Sequence, residues 1–228
     1  MPLSVDMIGV FDSGRGGLAA LGEIRRALPH ADVVYLADRK NAPYGTKSRG
    51  ELIRLVSRDI ERLMQIGAQK ILIACCTAST VYPYLDEKYR RVSVPIINPT
   101  ARLAAGKSGG CVTVFATRAT VASGAFSVEL HSFVPSLSVK EIEAQGLVSL
   151  VESHAQQTAV SAEVKRLIGL MPDGCDTVVL GCTHFSFAKK IFSELLGKEI
   201  SVIDSAAVGA GVIIEKTPNL GNGRIIYS

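Results

Sequence analysis

Short, unbroken apolar runs alternate along the chain with segments whose apolar residues recur every three or four positions. The first run, Met7-Ile8-Gly9-Val10-Phe11, breaks at Asp12-Ser13-Gly14. Leu18 to Leu28 then carries helical spacing, and Ala31-Asp32-Val33-Val34-Tyr35-Leu36 returns to strand. A polar loop with Pro43-Tyr44-Gly45 follows. From Glu51 to Ile66, the residues Leu52, Leu55, Val56, Ile60, Leu63 and Met64 fall on one helical stripe. Lys70-Ile71-Leu72-Ile73-Ala74 is a second apolar strand, running into Cys75-Cys76-Thr77-Ala78-Ser79. Strands of this kind, separated by helices, predict parallel sheets covered on both faces.

The second half repeats the grammar. Cys111 to Ala116 reads as a strand ending at Thr117, and Asp176 to Leu180 as a strand ending at Gly181-Cys182-Thr183-His184. Ser13 and Thr117 are 104 residues apart, Cys75 and Cys182 107 apart. These nearly equal offsets predict an α/β protein of two related lobes, each a mostly parallel sheet flanked by helices, with the active site in the cleft between them. Val94-Pro95-Ile96-Ile97-Asn98-Pro99 is the expected boundary, and Val202-Ile203-Asp204-Ser205 the return crossing. The first lobe is then residues 1–97 and 207–228, and the second 98–206.

Composition narrows the field. The chain has 228 residues, of which 47% are hydrophobic and 20% charged, enough apolar material for a buried core. No apolar run reaches the roughly 18 residues of a membrane-spanning helix. Met1-Pro2-Leu3-Ser4-Val5-Asp6 lacks the basic and apolar regions of a secretory leader, so secretion is not expected. A net charge of +4, no Trp and 6% aromatics give neither a basic stripe nor a stacking platform, so no direct nucleic-acid partner is expected. Arg25-Arg26, Arg90-Arg91 and Lys189-Lys190 read as solvated helix faces. Five cysteines on so long a chain do not make a disulfide scaffold and point to a reducing, cytoplasmic compartment.

In open α/β sheets ligands bind beyond the carboxyl ends of the strands. The polar residues expected there are Asp12, Ser13, Cys75, Thr77, Thr117, Thr120, Cys182, Thr183 and His184. Two facing lobes bring Cys75 and Cys182 to opposite walls of one cleft, an arrangement suited to a two-base reaction. One thiolate removes a proton from carbon, and the opposite thiol returns one to the other face. An ordinary thiol titrates near ~8.5, so each needs a neighbour, Asp12 for Cys75 and His184 for Cys182. A lone strand-end cysteine is more often a small buried hydrophobe. Here each is followed within two positions by Thr, and Cys182 also by His184, whereas Cys111 and Cys175 lack such company. His30, His131 and His154 read as surface or capping residues. A metal site is not expected, because adjacent Cys75 and Cys76 point apart and no CxxC pair is present. Gly14, Gly16 and Gly17 do not complete a dinucleotide fingerprint. They read instead as glycines that let backbone amides approach a carboxylate.

Taken together these motifs resemble the glutamate racemase family of the aspartate/glutamate racemase superfamily. The matching stretches are Gly9 to Gly14 with Gly16-Gly17-Leu18, then Pro43-Tyr44-Gly45, Ile73 to Ala78, and Leu180 to His184. The resemblance implies a two-lobed homodimer that interconverts L- and D-glutamate for peptidoglycan synthesis, hence cell-wall biogenesis and cell shape, with neither pyridoxal phosphate nor metal. It implies Cys75 and Cys182 as catalytic acid/bases tuned by Asp12 and His184. Ser13, Pro43, Tyr44, Gly45, Cys76, Thr77, Thr117, Thr120, Glu152 and Thr183 are implied as substrate-binding residues.

Three departures bear on that expectation. Cys76 stands where the family has Asn, and a thiol does not reproduce an amide's paired donor and acceptor. Phe185-Ser186-Phe187 replaces Tyr-Pro-Leu and would reshape the loop after His184. After Gly223-Arg224-Ile225-Ile226, family members continue into another helix, so a smaller first lobe or an altered dimer surface is expected. Two alternatives stay open: racemisation or isomerisation of another substrate of the superfamily, and a non-catalytic paralogue that binds an amino acid or a protein partner.

Overall fold

The apolar runs become the inner strands of two parallel sheets. In the computed structural model, which describes residues 7–228, the first sheet contains β1 (Met7–Asp12), β2 (Val33–Ala37), β3 (Ala68–Ile73) and β4 (Ser93–Pro95), in the order β4-β3-β1-β2. The second contains β5 (Cys111–Ala116), β6 (Ser138–Glu143), β7 (Thr177–Gly181) and β8 (Ser201–Asp204), in the order β8-β7-β5-β6. The second sheet thus repeats the winding of the first strand for strand, and every pairing is parallel. A short β9 (Ile225–Tyr227) returns to the first sheet beside β2. The reading of Met1–Asp6 as lacking a leader lies outside the described residues.

Side-chain alternation along the inner strands builds a core on each face of each sheet. In β1, Ile8 and Val10 pack beneath α1 (Leu18–Ala27), while Phe11 faces α2 (Arg49–Ile66). In β5, Val112 and Val114 point to one side and Phe115 to the other. Each large side chain so buried contributes roughly 1.5–3 kcal/mol. The stripe read from Leu52 to Leu63 is the buried face of α2. This helix starts on a capping box between Ser48 and Glu51 and ends at Gly67, which takes the left-handed conformation (φ 110°) that favours glycine.

A four-residue α3 (Cys76–Ser79) follows β3, and α4 (Glu87–Val92) leads into β4. Within the Val94–Pro99 stretch β4 ends and α5 (Ile97–Lys107) opens almost at once. Pro99 is accommodated in its first turn, where a backbone N–H has no helical partner to lose. The second lobe adds α6 (Arg118–Ser123), α7 (Ala125–Phe133), α8 (Gln145–Glu152), α9 (Gln157–Ile168) and α10 (Lys189–Leu196). From β8 the chain enters α11 (Ser205–Lys216), whose Ala206, Ala210 and Ile213 pack into the core of the first sheet. Among the described residues no helix is long and apolar enough to cross a membrane.

Candidate active site

One cavity of about 460 Å³ lies between the lobes, and its walls come from the chain just past the carboxyl ends of six strands. Ser13-Gly14-Arg15 follow β1, Arg39 and residues 42–45 follow β2, and Cys75-Cys76-Thr77 follow β3. Thr117 follows β5, Gln145 opens the helix after β6, and Cys182-Thr183-His184 follow β7. Sheet polarity alone places this chemistry here, and the volume suits a small organic ligand.

Cys75 caps α3, its Sγ accepting from the Ala78 amide at 3.4 Å and lying 3.4 Å from Ser13 Oγ. Burial pushes this thiol up to about 11, and the nearby Asp12 carboxylate adds to the shift. Across the cleft, Cys182 Sγ is 3.6 Å from His184 Nδ1. Burial also raises Cys182 well above its ordinary value, with Cys76 the next contributor. His184 Nε2 in turn meets Glu152 Oε1 at 2.5 Å. Burial pushes the Glu152 carboxyl up, but the His184 hydrogen bond and charge outweigh it and hold the group below its usual range. Thiol, imidazole and carboxylate therefore form a chain from the cleft floor to its rim.

Three of the expected site residues turn their polar groups away from the cavity. Asp12 is fully buried behind the cleft rather than lining it. Its carboxylate accepts from the Gly14 amide at 2.7 Å and Thr183 Oγ1 at 3.0 Å, fastening a loop of one lobe to a loop of the other. The carboxylate that the glycine loop meets is thus the protein's own. Thr120 is also fully buried, its hydroxyl 2.9 Å from Thr117 Oγ1 and 3.2 Å from Thr77 Oγ1. Only Thr77 and Thr117 of that trio reach the cavity. Tyr44 lines the cleft, but its hydroxyl donates away from it, to Asp38 at 2.7 Å and Asp59 at 3.1 Å.

Ser13, Pro43, Gly45, Cys76, Thr77, Thr117, Glu152 and Thr183 all line the cavity with the two thiols and His184. Cys75 and Cys76 diverge: Cys75 packs into the core beside α2, while Cys76 joins the second-lobe core and lies 3.3 Å from Ser205 Oγ. Among the described residues no three His, Cys, Asp or Glu side chains are grouped to hold a metal ion. Sequence reasoning missed Arg15, Arg39, Gln145 and Ser149, which also line the cleft. The strand-end rule that found Ser13 would have found Arg39 as well, since it stands two residues past β2. Gln145 and Ser149 sit on α8, behind a strand the hydrophobic pattern does not reveal.

Two like-wound parallel sheets each present a strand-end thiol to one shared cleft, an architecture that the comparisons assign to the racemases. The sequence profile of the Asp/Glu/Hydantoin racemase family matches residues 19–213. A glutamate racemase of Pseudomonas paraeruginosa is 37% identical over 209 residues, covering 89% of this chain and 78% of the relative. The crystal structure of glutamate racemase isoform RacE1 from Bacillus anthracis superposes with a TM-score of 0.87 at 30% identity, covering 97% of this chain and 86% of the other. Escherichia coli glutamate racemase, crystallised with L-glutamate and an activator, gives a TM-score of 0.75 at 30% identity, over 92% and 83% of the two chains. The chain belongs to the Asp/Glu/Hydantoin racemase family and is an amino-acid racemase, an enzyme of the isomerase class.

Proposed function

We propose that this enzyme interconverts L- and D-glutamate by a two-base proton transfer between Cys75 and Cys182. The observation that carries the reading is the placement of these two thiols just past equivalent strands, β3 and β7, of two like-wound lobes and on one cavity. Glutamate is the substrate named for the relatives of highest similarity described above. In one direction Cys75 as thiolate takes the α-proton and Cys182 as thiol protonates the opposite face; the reverse direction exchanges the roles. Ser13 steadies Cys75, and His184, polarised by Glu152, moves a proton to and from Cys182. Thr77, Thr117, Thr183 and the loop amides supply fixed dipoles for the charge that develops on the substrate. Asp12 acts as a positioning residue, through Thr183 and the Gly14 loop.

The wider reading follows from the same assignment. Residues 1–97 with 207–228 form one lobe and 98–206 the other, the chain functions as a cytoplasmic homodimer, and its D-glutamate feeds peptidoglycan synthesis. Sedimentation velocity tests the dimer. The chemistry is tested by incubating the protein with L-glutamate in D2O and following the α-proton by NMR. Loss of the signal with appearance of D-glutamate is the expected outcome. A persistent signal refutes the glutamate assignment. Cys76 favours a second substrate of the superfamily in that event, because its thiol offers no amide to the ligand.

A further inference from the structure

Two of the five thiols take no part in the cleft, and they lie together. Cys111 opens β5, and Cys175 stands two residues before β7, the neighbouring parallel strand. Both sit at the amino end of the second sheet, away from the strand-end loops that line the cavity. Gly174, in the left-handed conformation (φ 74°), turns the chain just ahead of Cys175. Cys175 Sγ lies 3.2 Å from Thr113 Oγ1, 3.3 Å from the Thr177 carbonyl oxygen and 3.6 Å from the Cys111 carbonyl oxygen. Cys111 and Thr113 project from one face of β5, since alternate residues of a strand share a face. The Cys175 sulfur reaches that face, and the two thiols are hydrogen-bond partners.

The two members of the pair differ in access. Among the five cysteines Cys111 alone is not buried, whereas Cys175 is 8% exposed. Cys111 also meets Ser138, its partner in register on β6. One reachable thiol backed by one shielded thiol is the arrangement of an attacking and a resolving cysteine. Burial and the neighbouring Cys175 raise Cys111 above its ordinary value. Its thiolate fraction, and with it the rate of oxidation, therefore grows as pH rises. Cys75, Cys76 and Cys182 are raised too, and all three are buried.

We propose that Cys111 and Cys175 form a reversible thiol–disulfide site on the second lobe, oxidised by a hydroperoxide and restored by a dithiol. The Cys111 thiolate attacks one oxygen of the peroxide and the O–O bond breaks. Sulfur is oxidised to the sulfenic acid, and with hydrogen peroxide the departing hydroxide takes up a proton and leaves as water. The Cys175 sulfur then attacks the sulfenic sulfur. The S–S bond forms, the S–O bond breaks, and a second hydroxide leaves as water with the Cys175 proton. The two thiols together give up two protons and two electrons, and one hydrogen peroxide becomes two waters. Because the pair lies at the far end of the sheet from Cys75 and Cys182, the bond forms without involving the cleft.

The test treats the full chain, C111S and C175S with hydrogen peroxide at about pH 8.5, near the ordinary thiol value. Circular dichroism first verifies that both variants are folded. Free thiols are counted after denaturation, and intact masses and unreduced peptide maps are recorded. Wild type should fall from five free thiols to three, lose two hydrogen masses, and yield one peptide pair joined through Cys111 and Cys175. Dithiothreitol should return all five. C175S lacks the resolving partner, so its Cys111 should advance to the sulfinic acid and gain two oxygen atoms. C111S should keep all its remaining thiols under the conditions that cross-link wild type. Retention of five thiols by wild type overturns the site. So does a bond between any other two cysteines, a bond between two chains, or sulfinic acid on Cys111 of wild type in place of the cross-link.

Discussion

At the scale of single residues, the governing fact is that both thiols are buried and held towards the protonated form. Burial pushes Cys75 up to about 11, and Cys182 lies well above its ordinary value. A raised pKa on an acid means that the thiolate fraction grows as pH rises. We expect kcat/KM for racemisation to climb from about pH 7 to about pH 9, since this quantity reports ionisation in the free enzyme. A flat or falling profile over that range would refute it. The same shift has a consequence for stability. The folded state holds the Cys75 proton more tightly than the unfolded chain, so this contribution is fully present below the unfolded value. It is lost as pH rises through the window from about 9 to about 11. The urea midpoint should therefore fall across that window, and less steeply in Cys75→Ser. Cys75→Ser and Cys182→Ser should each lower kcat by about 100-fold or more, because a hydroxyl is a far weaker acid than a thiol. Racemisation near the wild-type rate in both directions by either variant would remove the two-base assignment.

At the scale of elements, two glycines separate a rigid contact from a yielding one. A Cβ on Gly16 would stand 2.9 Å from the backbone nitrogen of His184 and 2.8 Å from its Nδ1, against groups fixed by the opposite lobe. A Cβ on Gly45 would meet Gln145 Oε1 at 2.5 Å, the end of a flexible side chain, and the Thr117 Cβ at 3.1 Å, which must give by only a few tenths of an ångström. Gly16→Ala should therefore cost about 1–3 kcal/mol and displace His184 from Cys182, whereas Gly45→Ala should cost less than about 1 kcal/mol. Thermal unfolding with matched kinetics distinguishes the two, and equal losses would contradict the geometry. Legibility in the sequence follows the same division between buried and exposed. The inner strands β1, β3, β5 and β7 are readable because burial on both faces makes them continuous apolar runs. The edge strand β6, Ser138–Glu143, buries only Ile142 and sets Val139 and Ile142 among Ser, Lys and Glu, so it shows no continuous apolar run. The thiols, Ser13, Thr183 and His184 are readable because chain position alone puts them past strand ends. Arg39, two residues past β2, is within reach of the same rule. The inward turn of Asp12, the retreat of Thr120 and the averted hydroxyl of Tyr44 are matters of side-chain direction, which spacing does not encode.

At the scale of the whole molecule, α11 decides whether the lobes behave as one body. It leaves the second sheet at β8, yet buries Ala206, Ala210 and Ile213 against Ile8, Val10 and Leu72 of the first. Its first residue, Ser205, donates to the Leu180 carbonyl at 2.7 Å and meets Cys76, so one helix end touches a strand of the second lobe and the floor of the cleft. The fit depends on small residues. A Cβ on Gly209 would lie 2.8 Å from Ile96 Cγ1 and 3.2 Å from Leu72 Cδ1, which leaves no room for a side chain between the helix and the first sheet. Gly209→Leu should act as a wedge, costing about 1–3 kcal/mol by overpacking and lowering Tm by roughly 2–10 °C. Because the same helix is bonded to the second lobe, that lobe has no separate route to stability once α11 lifts away. Scanning calorimetry should then show a single transition for wild type and a single, lower one for Gly209→Leu. Two resolved transitions, only one of them shifted by the wedge, would mean that each lobe melts independently and that α11 belongs energetically to the first.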